Sequence, residues 1–149
     1  MTEVTIVPVA PAHREAWERL YMGYAEFYKV NQTQEMRDRV WSWLMDPNHE
    51  TTGLVAVDKD GVPVGLAHVR PFARPLSATT GLFLDDLFVD PARRGSGVAD
   101  RLLEALRAMA REKGYSVVRW ITAENNYRAR GAYDRIATRT NWLTYDMQP

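Results

Sequence analysis

The sequence predicts an α/β fold, a mixed β-sheet flanked by helices. Strand-like runs stand on either side of an Asp58-Lys59-Asp60-Gly61 turn, the signature of a hairpin. Apolar residues recur at three- and four-residue steps in several longer segments, the mark of amphipathic helices. Together they give the order β, α, α, β, β, β, α, β, α, β. Hairpins join antiparallel strands and helical crossovers join parallel ones, so one sheet must contain both.

Val4-Thr5-Ile6-Val7-Pro8-Val9 alternates briefly, a short strand that Pro8 confines to an edge or an end. Pro11 opens a helix on which Trp17, Leu20, Tyr21, Tyr24, Phe27 and Tyr28 form one stripe. The stripe reads as core, and its hydroxyl-rich far end also suits one wall of a small-molecule pocket. Thr33 caps a second helix with Met36, Val40, Trp41, Trp43 and Leu44 as apolar positions, ending at Asp46-Pro47. Both tryptophans read as packing residues.

Residues 53–57 and 62–69 are the hairpin strands. Residues 71–81 hold Pro71, Pro75 and Gly81 without a period and read as a loop. An apolar strand follows, Leu82-Phe83-Leu84-Asp85-Asp86-Leu87-Phe88-Val89, then the turn Asp90-Pro91-Ala92 and the basic glycine loop Arg93-Arg94-Gly95-Ser96-Gly97. From Val98 a helix buries Ala99, Leu102, Leu103, Leu106, Met109 and Ala110 and closes at Lys113-Gly114. Residues 116–122 read as a strand, 126–136 as a short helix and 142–147 as a last strand. No repeat or linker divides the chain, so residues 1–149 are expected to form one domain.

A chain of 149 residues buries about two thirds of its unfolded surface in one core. Its 19 basic and 19 acidic side chains cancel, which argues against a broad nucleic-acid or anionic-membrane surface. It contains no cysteine, which excludes disulfides, thiolate metal sites and a cysteine nucleophile. The histidines (His13, His49, His68) are scattered and show no metal-ligand spacing, so no metal is expected. His68, on a strand, reads as a core or edge histidine. The Met1-Thr2-Glu3-Val4 start lacks a leader-like basic and apolar pattern, and no apolar run reaches membrane length. A cytoplasmic protein is the expectation.

A strand running through a flexible, basic loop into a helix start makes a diphosphate site. Glycines let backbone N–H groups approach the anion, and the open helix terminus favours negative charge. The lysine-serine/threonine ending of a P-loop is missing, and so is the third glycine of the dinucleotide fingerprint.

In its context this stretch resembles the acyl-CoA-binding core of the GNAT N-acetyltransferase superfamily. Arg94, Gly97 and Ala99 fill the family's loop signature, after Leu84-Asp85-Asp86-Leu87-Phe88-Val89 and before Leu102-Leu103. Asn126, followed seven residues later by Tyr133, matches a second family marker. Within the superfamily the chain is most similar to diamine (spermidine/spermine) and histone/polyamine acetyltransferases, through the acidic pair and the stretch from Glu124 to Ala129.

The resemblance implies a splayed sheet and transfer of an acetyl group from acetyl-CoA to a primary amine in a ternary complex. The acceptor would be a polyamine, an amino-acid-like metabolite or a protein lysine. It places the CoA diphosphate on Arg93, Arg94, Gly95, Ser96, Gly97, Val98 and Ala99, and the pantetheine along Leu87, Phe88 and Val89. Asn126 and Tyr133 border the coenzyme, and Tyr133 is the expected proton donor to the departing thiolate. Asp85 stands where diamine acetyltransferases carry a glutamate base; being a methylene shorter, it acts directly or through water. Asp85, Asp86, Tyr24 and Tyr28 are candidate acceptor-binding residues. Ala137 replaces the family's usual glycine, so the turn after the last helix is expected to be atypical. A homodimer is expected, with the terminal aromatic segment (Trp142, Tyr145) pairing with a second chain. The alternatives are a non-catalytic acyl-CoA-binding module, which has no need of Tyr133, and a nucleotide-phosphate binder of another fold.

Overall fold

The central hairpin forms because Asp58 folds back on its own chain. Its carboxylate accepts the N–H groups of Asp60 and Val62 at 2.9 and 3.0 Å, and Gly61 supplies a φ of +79°. This turn joins β2 (Thr52–Val57) to β3 (Pro63–Arg74). β1 (Thr5–Pro8) pairs antiparallel with β2, and β4 (Thr79–Val89) antiparallel with β3. β5 (Val118–Arg119) lies parallel to β4 after the crossover helix α3 (Val98–Lys113), giving the order β1-β2-β3-β4-β5. The structure, a computed structural model, describes residues 3–149; Met1 and Thr2, which open the N-terminal stretch read from the sequence, lie outside the described residues.

The strands alternate between two cores. Leu54, Ala56, Ala67, Val69, Leu82 and Leu84 face α3, where Leu102 and Leu106 are fully buried. Val55, Leu66 and Phe88 face α1 (Arg14–Phe27) and α2 (Gln34–Met45), against Trp17, Leu20 and Trp41. Gly65 lets α3 approach, since a Cβ there would stand 3.1 Å from Val98. Thr33 caps α2 as expected, its hydroxyl accepting the Met36 N–H at 3.2 Å. Trp41 is core, whereas Trp43 stands at the surface stacked on His49.

Three expectations need correction. Residues 71–81 are not a loop: they extend the β3–β4 hairpin, with Phe72 opposite Gly81 and Arg74 opposite Thr79. The break is confined to a 3-10 turn at Pro75–Ser77 and Ala78, at φ +55°. Arginine–aromatic pairs hold this extension instead of a buried apolar face, and so it has no readable period; Arg70 lies over Phe83 and Arg119 over Phe72. Gly81 makes room for the Phe72 ring, 2.6 Å from where its Cβ would be.

The strand expected over 116–122 keeps only Val118–Arg119, because the chain then diverges from β4. The strand expected over 142–147 is absent. Trp142, Leu143, Tyr145 and Met147 are 79–93% exposed, with no strand long enough beside them to pair against. α4 (Tyr127–Ile136) ends at Ala137, whose φ of −143° is extended backbone; no glycine is required there.

Candidate active site

Asp85 is an extra residue in its strand. β3 pairs His68 with Asp86 and then Val69 with Leu84, so Asp85 sits in a β-bulge without a partner. The bulge shifts the alternation by one. Leu82 and Leu84 face α3 before it, Leu87 and Val89 still face α3 after it, and Asp86 turns toward α1. One inserted residue thus puts a carboxylate into an aromatic core.

There Asp86 is held from two sides. His68 Nδ1 lies 2.8 Å from its Oδ2, and the Tyr21 hydroxyl donates to the same oxygen at 3.0 Å. Behind His68 the Trp17 indole N–H donates to Nε2 at 2.9 Å. Burial alone would raise the Asp86 carboxyl, but His68 above all, with the Tyr21 hydroxyl, outweighs it and keeps the group below the usual carboxylate range. Burial and the adjacent Asp86 push the phenols of Tyr21 and Tyr24 well above their ordinary value, so both stay protonated.

A row of phenols runs from that carboxylate along α1. Tyr21 and Tyr24 have ring centroids 6.0 Å apart, and Tyr24 and Tyr28 4.9 Å. At the far end stands Tyr133 of α4, half-buried edge-on to Trp120 at 5.2 Å. Burial raises its phenol, and the neighbouring Tyr28 adds to the effect. Asp85 takes a different course: its carboxylate is forked by Arg70, at 2.9 Å from Nε and 3.4 Å from Nη2, and remains partly open to solvent.

β4 and β5 pair only at Leu82–Val118 and Phe83–Arg119. From Leu84 to Val89 the β5-side edge of β4 therefore has no strand partner, and the sheet splays there. α3 starts at the mouth of this opening. Gly95 and Gly97 take φ of +81° and +88°, and the first helical bond runs from the Arg101 N–H to Gly97 O. The N–H groups of Val98, Ala99 and Asp100 have no helical partner, and no side chain caps the end. An open strand edge leading to an uncapped helix terminus fits an extended amide-bearing arm joined to a diphosphate.

Other expected site residues lie elsewhere. Arg93 pairs with Asp58 at 3.2 Å, and Arg94 lies over the rings of Phe27 and Phe88 at 5.5 and 5.4 Å. Arg94 borders a cavity of about 520 Å³ between α1 and the end of β4, lined also by Leu20, Gly23, Phe27 and Pro91, which includes neither Asp86 nor Tyr133. Leu87 packs toward α3, Phe88 against Gly23 and Tyr24, and Asn126 precedes α4 with its amide 3.4 Å from the Thr122 hydroxyl. Arg128 of α4 reaches toward the loop, its Nη2 4.0 Å from where a Cβ on Gly95 would stand. Sequence reading passed over Arg128, and over Trp17 and His68 as partners of Asp86. Their only signal was position: one turn into α4, and inward-facing opposite the acidic pair.

This architecture is that of an acyl-CoA-dependent transferase, and comparison with known proteins agrees. The pattern of the Acetyltransferase (GNAT) family matches residues 17–137. The D-amino-acid N-acetyltransferase HPA3 of Saccharomyces cerevisiae is 27% identical over 143 residues, covering 95% of this chain and 89% of that protein. The thialysine N-epsilon-acetyltransferase of Caenorhabditis elegans is 27% identical, covering 99% and 93%. The aminoglycoside enzyme AAC(6')-Iy, solved with a CoA-linked bisubstrate analogue, shares the fold at a TM-score of 0.85 and 18% identity, covering 99% of both chains. The chain belongs to the GNAT family and is an acetyl-CoA-dependent N-acetyltransferase.

Proposed function

We propose that the acceptor is a primary amine, bound as its ammonium by Asp86 and the phenols of Tyr24 and Tyr28 and acetylated by direct attack in a ternary complex. The observation that carries this is the partly buried, ionised Asp86 beside the open edge of β4. Relatives whose names specify D-amino acids and thialysine support an acceptor of this kind.

Only about one amine in a thousand is neutral at pH 7, so binding must be followed by loss of a proton. Asp86 holds the cation, and the more exposed Asp85 takes its proton through a water. The edge of Leu87, Phe88 and Val89 carries the pantetheine by backbone hydrogen bonds, and its N–H groups polarise the thioester oxygen. The amides from Arg94 to Ala99 hold the diphosphate, with Arg128 adding charge. Tyr133 donates to the departing thiolate. In this reading the enzyme is a homodimer.

Initial rates with acetyl-CoA and four amines (D-lysine, thialysine, spermidine and a lysine peptide) test it. Intersecting double-reciprocal plots are expected for at least one amine. Asp86→Asn should raise that amine's KM and Asp85→Asn should lower kcat. Parallel plots, or no turnover on any primary amine, would overturn the reading.

A further inference from the structure

Two of the most buried side chains in the molecule, Trp17 and His68, stand behind Asp86 and reach no solvent; they are 1% and 2% exposed. An indole N–H can only donate. It occupies the His68 Nε2 lone pair at 2.9 Å, so the ring proton stands on Nδ1, 2.8 Å from Asp86 Oδ2. The other tautomer would set N–H against N–H at Trp17 and a lone pair against a carboxylate at Asp86.

The ring has little freedom to turn away. Tyr21 stands edge-on to it with centroids 4.8 Å apart, and on β2 a Cβ added to Gly53 would come within 3.5 Å of His68 Cδ2. The carboxylate needs such a hold, since it belongs to a bulge on a strand whose outer edge is unpaired. The bonds from His68 and Tyr21 both land on Oδ2, and Oδ1 takes neither.

We propose that Trp17 and His68 are positioning residues for acceptor binding: Trp17 fixes the tautomer of His68, whose Nδ1–H pins Asp86 so that its carboxylate meets the acceptor ammonium in a single orientation. The inference rests on the reading that Asp86 holds the ammonium. It explains why a polar ring is placed in the α1-facing core, and it makes the core indole a determinant of acceptor affinity.

The test uses Trp17→Phe, which keeps an aromatic ring and deletes the N–H, together with His68→Leu and His68→Asn. Asparagine keeps a donor near the place of Nδ1. With acetyl-CoA and each of the four amines above, Trp17→Phe and His68→Leu should raise the amine KM on the order of tenfold, the loss of one charge-assisted hydrogen bond. The KM for acetyl-CoA should stay nearly unchanged, and His68→Asn should recover most of the loss. Nitrogen-15 spectra of the native imidazole should show Nδ1 protonated and Nε2 bare, and Trp17→Phe should mix the tautomers.

A native ring protonated on Nε2 overturns the proposal whatever the kinetics. So does an amine KM unmoved in Trp17→Phe, or equal losses for both substrates. Should His68→Leu fail to fold, Trp17→Phe and the spectra still decide. Asp86→Asn separates the two layers. If it raises the amine KM while Trp17→Phe does not, only the positioning role falls. If it leaves the amine KM unmoved, the ammonium reading falls and takes this proposal with it.

Discussion

Tyr133 lies edge-on to Trp120 with Tyr28 nearby, and burial governs its chemistry. Its phenol is raised above an ordinary value of 10, so the proton is in place at neutral pH. A CoA-like thiol has a pKa of about 8.5, and full transfer from the phenol to its thiolate is therefore uphill. In the proposed reaction Tyr133 gives a hydrogen bond that strengthens as charge builds on sulfur. Tyr133→Phe should lower kcat roughly a hundredfold while CoA affinity measured by calorimetry stays close to native. Full turnover would remove Tyr133 from the reaction. Tyr133 was singled out by the family resemblance it carries with Asn126, and it lies on α4. The partners of Asp86 were not legible, since a two-residue acidic run does not reveal which residue the bulge leaves unpaired. Asp85, which the resemblance to diamine acetyltransferases offers as the base, turns to Arg70, and its neighbour Asp86 turns toward α1.

Elements with one apolar face and a cap were legible in the sequence. α1, α2 and α3 lie where the stripes, Thr33 and Gly114 place them. What escaped were strands whose partners are short or polar: β5, cut off by the splay, and the β3–β4 extension held by arginine–ring contacts. In the proposed reading coenzyme binding depends on the start of α3, where the first amides have no helical partner and Gly97 takes a left-handed φ. Gly97→Glu adds a strained backbone and a negative charge at once. Bound at a hundred times its Kd, acetyl-CoA should stabilise the native protein by about 2.7 kcal/mol. In Gly97→Glu that thermal shift should vanish, and in Arg128→Ala it should shrink. An undiminished shift in Gly97→Glu places the diphosphate elsewhere.

The whole molecule leaves one surface unexplained by its own packing. After α4, residues 138–149 form neither helix nor strand, and no backbone hydrogen bond ties them to the rest among the described residues. Leu143, Tyr145 and Met147 alternate in the sequence with Trp142 beside them, all exposed. That is the pattern of a strand without a sheet, and so the sequence expectation had the right propensity and lacked only the partner. Next to the tail's origin, Leu103, Tyr115, Val118, Trp120 and Ile136, together with Arg107 and Arg111, line a groove of about 370 Å³ between α3, β5 and α4. A chain that leaves its own groove open while exposing an apolar-aromatic tail is suited to trade that tail with a second copy, one tail in each groove. Light scattering after size exclusion should therefore give a dimer at micromolar concentration. Deletion of residues 138–149, or Trp142→Ser with Tyr145→Ser, should give a folded monomer with the native circular dichroism of the sheet. A native monomer at that concentration, or a truncated chain that still dimerises, would show that the tail is not the joint.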